Sequence, residues 1–132
     1  MKKAPQKVYV VDNGFVEAKA FNLSENLGRL LENQVFIELV RRGYDTDKSL
    51  FYYRSRNDKE VDFVTRQGTH VESLIQVCYD LSSERALKRE TDSIIECAGE
   101  LKCSNLLIIT MNEERTIEKN GHSIKVIPIN KF

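Results

Sequence analysis

"EVDFVTRQGTHVESLIQVCYD" runs from Glu60 to Asp80, and its reading decides the fold. Two runs of β-forming residues flank the turn residues Gln67 and Gly68, so the stretch predicts two neighbouring strands. Asp62 interrupts the first run and Gln76 the second. A polar group inside a sheet core is either held by hydrogen bonds or belongs to a site. Register separates the cases. If the connection were only Gln67-Gly68, Arg66 would pair with Thr69 and Asp62 would face Ser73. Gln76 would then point to the opposite face, because side chains alternate along a strand. For Asp62 to stand opposite Gln76, the loop must run from Gln67 to Val71, or the ladder must carry a bulge. One of these is expected; a regular two-residue hairpin would remove the site.

On the N-terminal side, residues 7–11 (KVYVV) read as a strand ended by the turn Asp12-Asn13-Gly14. A chain that starts almost at once on a core strand is expected to be a piece of a longer protein. The stretch SENLGRLLENQVFIELVRRG is the clearest helix. Ser24 suits the N-cap and Glu25 the first turn, while Arg41, Arg42 and Gly43 suit its end. Leu27, Leu31, Val35 and Leu39 recur every four residues. Leu30, Phe36, Ile37 and Val40 widen the stripe nearly all round, which predicts a buried helix. Glu32 and Glu38 interrupt it. Gly28 lies one turn before Glu32, so close approach of another group is expected there, since a helical glycine costs about 1 kcal/mol against alanine. A strand over 49–54 and a turn over 55–59 lead into the opening stretch.

Beyond it, residues 82–101 form a second helix, with Leu87, Thr91, Ile94, Ala98 and Leu101 on one stripe. Residues 105–111 (NLLIITM) are a continuous apolar run, as in a strand covered on both faces. The closing TIEKNGHSIKVIPI is a hairpin turning at Asn120-Gly121, with Pro128 marking its last strand as an edge. The predicted order is β-α-β-β-β-α-β-β-β. The fold class is α/β (α+β), with a mixed central sheet and flanking helices; the helix between strands implies a parallel pair.

A chain of 132 residues supports one domain, expected to span 1–132. Apolar residues make up 41% and charged residues 30%, and 20 Lys+Arg balance 20 Asp+Glu. Zero net charge argues against a protein that coats nucleic acid. Cys78, Cys97 and Cys103 are odd in number and form no CxxC pair, so reduced thiols and a cytoplasmic location are expected. No apolar run is long enough to span a membrane, and the start lacks the apolar stretch of a signal peptide. His70 and His122 are turn-adjacent and show no ligand spacing.

Glu32, Asp62 and Gln76 thus stand in core-like settings. Two carboxylates and an amide oxygen are hard ligands of the kind Mg²⁺ (or Mn²⁺) accepts. Such a metal assists phosphodiester hydrolysis by activating water, and a lysine commonly steadies the developing charge. LLEN on a helix, EVDFV and LIQVC on neighbouring strands, then a helix, resemble the PD-(D/E)xK, or restriction-endonuclease-like, core. The resemblance implies that Glu32, Asp62 and Gln76 are its catalytic and metal-binding positions. More closely, KVYVVDNG, GRLLENQVFIELVRRG, YYRSRNDKEVDFV, LIQVCYDL, ALKRE and IKVIPI together resemble the C-terminal domain of archaeal and bacterial AAA-type ATPases. That implies an N-terminal ATPase module as partner. No GxxxxGK[ST] occurs in this chain, so no ATP is expected to bind here through a P-loop.

The departure lies two residues after Gln76. Cys78 stands where the core has lysine, and a thiol supplies no positive charge. Lys88 is the best replacement, about 20° from Ile95 on the helical wheel. Lys59 has the wrong strand parity relative to Asp62, and Arg85 and Arg89 are expected to point further toward solvent.

Blander readings stand beside these. Glu32 could bond a helix–sheet junction, Asp62 could face water, Gln76 could be a satisfied core amide, and Cys78 reads as a small core hydrophobe. Three functions compete. One is a degenerate nuclease-fold accessory domain acting in DNA or protein interaction, which the missing lysine favours. The others are a Mg²⁺-dependent DNA endonuclease with its lysine displaced, and a structural domain for homo-oligomerisation.

Overall fold

Alternation in the strand runs and four-residue spacing in the helical ones produce the expected series of elements. In the computed structural model, which describes residues 23–132, α1 spans Leu23–Arg41, β1 Leu50–Arg54, β2 Glu60–Gln67 and β3 His70–Val77. These are followed by α2 Glu84–Leu101, β4 Leu106–Thr110, β5 Arg115–Lys119, β6 His122–Pro128 and a 3₁₀ turn, Ile129–Lys131. The strand expected over residues 7–11 and the turn after it lie outside the described residues. The fold is mixed α/β, a six-stranded sheet in the order β1-β2-β3-β4-β6-β5. β1, β2 and β3 form an antiparallel meander. α2 then returns the chain so that β4 runs parallel to β3, and β6 is parallel to β4. β5 closes the far edge, antiparallel to β6.

The β2–β3 ladder settles the register. Gln67 pairs with His70 across Gly68-Thr69, with Gly68 at φ 60. Arg66 pairs with Val71 but Thr65 with Ser73, so Glu72 is an extra residue. This is the expected bulge. It moves the count by one, and Phe63 then faces Ile75. The ladder ends at this pair, and Asp62 and Gln76 lie just beyond it, linked by side chain. A second irregularity lies between β1 and β2. Phe51 pairs with Val64 and Tyr53 with Val61, so Asp62 and Phe63 together oppose Tyr52.

The helices take opposite faces of the sheet. Leu106 and Ile108 of β4 join Ile94, Cys97 and Ala98 of α2 in one apolar cluster. Ile109, with Leu107 packed beside it, joins Val35 and Leu39 of α1 in the other. That two-sided burial explains the unbroken apolar run of β4. α2 opens on Ser83, whose Oγ accepts from Ala86 N at 3.1 Å. It closes on Lys102 in the left-handed conformation.

Three local expectations are corrected. α1 is not buried all round: Leu31, Val35 and Leu39 face inward, while Leu23 and Val40 are each 46% exposed. The helix already includes Ser24, which therefore does not serve as N-cap. Pro128 does not mark an edge, because β6 is interior and β5 is the edge. Proline is tolerated there because it ends the strand, where a missing N–H removes little of the ladder. The hairpin itself turns at Asn120-Gly121 with both φ angles positive (52 and 77), as a two-residue type I′ turn requires.

Candidate functional site

The sheet divides beyond the Phe63–Ile75 pair. β2 stays with β1 through the Val61–Tyr53 and Glu60–Arg54 pairs. β3 stays with β4 through Gln76–Ile108 and Val77–Ile109, and Cys78 N continues to Ile109 O at 2.9 Å. Side chains bridge the gap between β2 and β3. Gln76 Oε1 accepts from Asp62 N at 2.9 Å, and Gln76 Nε2 donates to Glu60 O at 3.0 Å. Asp62 Oδ2 accepts from Val77 N at 2.8 Å. Three strand-to-strand links therefore run through the two polar residues that interrupt the β pattern.

A cleft of about 700 Å³ opens beside this division, between α1, the end of β3 and the start of α2. Ligand sites of open α/β sheets commonly lie outside the carboxyl ends of the parallel strands, as this cleft does. Glu32 from α1 and Asp62 from β2 both line it, each half-buried. Gln76 is 5% exposed and sits behind the wall, among the links just described. Gly28 also lines the cleft, and among the described residues a Cβ there would meet nothing within 4 Å. The close approach expected beside it is thus replaced by open space.

Lys88 is not in this constellation. It is an exposed residue on the side of α2 away from the cleft lining, and its Nζ lies 2.6 Å from Asp92 Oδ2. Glu90, two residues on, reaches the cleft instead, and Arg85 and Arg89 line its rim rather than pointing away. Ala86 lines the cleft and also packs in the core cluster with Ile94 and Cys97, so cleft and sheet share one face of α2. The charged run KRETD reads as solvated surface, yet Glu90 stands three residues after Leu87 and four before Ile94, on the apolar stripe, and that spacing is the signal that marks it.

Glu90 is nearly buried, and loss of water raises its carboxyl above the usual range; Arg89, whose guanidinium is 3.3 Å away, and Gln76 oppose the rise. Burial also pushes the Cys78 thiol up to about 11, and the Glu90 charge adds to it. Cys78 therefore neither supplies charge nor acts as a thiolate nucleophile near neutral pH. Among the described residues, five carboxylates (Glu25, Glu32, Asp62, Asp80, Glu90) and three arginines (Arg29, Arg85, Arg89) line the cleft.

In place of ligand contacts, the polar atoms of Gln76 and Asp62 make bonds to the neighbouring strands. Each polar atom of the Gln76 amide makes a bond to the backbone of β2, Gln76 also bonds the Glu90 carboxylate, and one Asp62 oxygen accepts from β3. Among the described residues no three His, Cys, Asp or Glu side chains converge as metal ligands.

Residues 27–132 match the family model "Domain of unknown function (DUF4143)". The chain is 40% identical over 132 residues to an uncharacterised protein of Methanocaldococcus jannaschii, covering 96% of this chain and 29% of that protein. It is 31% identical over 100 residues to an uncharacterised protein of Haemophilus influenzae, covering 76% of this chain and 23% of that one. The chain thus spans less than a third of either relative. No solved structure matches it. With four-fifths of its length aligned to one family model, the chain belongs to the DUF4143 family.

Proposed function

We propose that this domain is a nuclease-type fold kept as an interaction module of a longer, ATPase-containing protein, with no hydrolytic chemistry of its own. The observation that carries the reading is the Gln76 amide. It accepts from one backbone group of β2 and donates to another, so it bridges two strands, and its remaining bond goes to the Glu90 carboxylate. Two further features agree. No cation stands at position 78, and Lys88 is engaged with Asp92 on the surface. A catalytic centre for phosphodiesters needs positive charge aimed at the developing oxyanion, whereas here the arginines lie at the rim. The lining carries more carboxylates than guanidinium groups, which favours a protein partner over a polyanion.

The test is a pair of measurements on the purified chain. Labelled single- and double-stranded DNA is incubated with Mg²⁺ or Mn²⁺, and thermal unfolding is followed with and without the same ions. The expected results are no cleavage and no metal-dependent rise in melting temperature beyond that of Asp62→Asn. A bound ion would raise the melting point by mass action. Cleavage that disappears in Asp62→Asn would instead establish the endonuclease reading.

A further inference from the structure

We infer that Gln76 is the clamp of a fork in the sheet, and that position 76 requires an amide because only an amide accepts and donates there at once. The structure gives the fork its shape. Below Phe63–Ile75 the two strands share an antiparallel ladder with one bulge; above it β2 follows β1 and β3 follows β4. Gln76 reaches across the opening with Oε1 on Asp62 N and Nε2 on Glu60 O. Asp62 answers with Oδ2 on Val77 N. Gln76 thus positions Asp62 on the cleft wall and holds the cleft at its width. This holds whether or not the domain meets the partner proposed above.

The choice of amide over acid follows from donor chemistry. An ionised glutamate keeps the acceptor for Asp62 N but loses the donor to Glu60 O, and sets an anion against a carbonyl oxygen. The titratable groups around the position are Asp62 from β2, Cys78 from β3, and Arg89 and Glu90 from α2, with Glu32 facing the same cleft from α1. The neighbouring carboxylates add to the penalty of a second charge. Protonated, the same glutamate regains an O–H donor. An acid at this position would be the natural choice if the residue bound a metal, so the two roles predict opposite results for Gln76→Glu.

The experiment compares wild type, Gln76→Glu and Gln76→Met by thermal unfolding between pH 7 and pH 5, with and without Mg²⁺. Gln76→Glu is expected to melt roughly 10 °C below wild type at pH 7. That gap narrows as the pH falls and the new carboxyl protonates. Gln76→Met, matched in size but with no hydrogen-bonding group, keeps a pH-independent gap. Gln76→Glu melting at or above wild type at pH 7, or a gap indifferent to pH, would overturn the inference. Should Gln76→Glu fail to fold, amide hydrogen exchange on wild type decides. Asp62 N and Val77 N are expected to be as protected as the β2–β3 ladder amides, and unchanged by Mg²⁺. Exchange at loop rates would overturn the clamp.

Discussion

Cys78 stands where the resemblance implies a lysine, and its surroundings explain why a thiol is stable there. It is 8% exposed, packs into the α2-facing cluster and donates to Asp80 O at 3.3 Å. An ammonium group at that depth would need a partner to offset its desolvation. The thiol titrates at about 11 for lack of water and because Glu90 lies close. At pH 8 only about one thiol in a thousand is ionised. A thiol reagent is therefore expected to modify Cys78 at least 100-fold more slowly in the folded protein than in denaturant. Mass-spectrometric mapping of the labelled site checks this; rapid labelling of folded Cys78 would contradict the burial.

The second helix is held to the sheet by ion pairs and hydrogen bonds at its middle and toward its C-terminal end, and these give stability its pH dependence. Lys119 of β5 donates to Thr91 Oγ1 at 2.9 Å and to Asp92 Oδ1 at 2.8 Å. Lys119 first, then Lys88, holds the Asp92 carboxyl down to about 2 against an ordinary value of 3.8. A depressed carboxyl contributes stability that is complete above the ordinary value and is lost as the pH falls through the folded one. Asp92→Asn should therefore be less stable than wild type at pH 7, by a few tenths to about 1 kcal/mol given its exposure. The difference should vanish near pH 2 and shrink in high salt, as followed by urea titration at each pH. Toward the C-terminal end, Glu96 accepts from Ser55 Oγ and Asn57 Nδ2, and Glu100 from Tyr53 OH and Arg56 N. These bonds lower both carboxyls, and they pin the β1–β2 turn to α2.

Over the molecule as a whole, stability rests on a sheet buried from both sides. Leu39 of α1 and Ile94 of α2 are 1% and 0% exposed in the two separate clusters. Alanine at either should cost about 2–5 kcal/mol through lost contacts and the cavity left behind. Because β4 sends alternate residues into both clusters, the two layers should unfold together. Far-UV and near-UV circular dichroism are expected to give one coincident transition in each variant. A separate early transition in Leu39→Ala would show that α1 is an independent layer.

Much of this architecture is local. Four-residue spacing marked both helices, alternation and β-branched residues marked the strands, and Asn120-Gly121 marked its hairpin, because these patterns depend only on the geometry of one element. The bulge between β2 and β3 was legible too, as a requirement for Asp62 and Gln76 to share a face, since side-chain parity leaves few alternatives. The gathering of residues around the cleft was not. Glu72 and the Asp62–Phe63 pair change the strand count at points no pattern announces. Which residues of α2 meet the cleft follows from how the helix docks on the sheet, with Ala86 and Glu90 on the docked stripe, Arg89 beside it and Lys88 on the outer side with Asp92. The hydrophobic pattern of the chain determined which elements form and which side of each strand is buried. Only the tertiary packing decided that Gln76 spends its amide across a forked sheet, because hydrogen-bond partners are assigned by distance in space, not by separation along the chain.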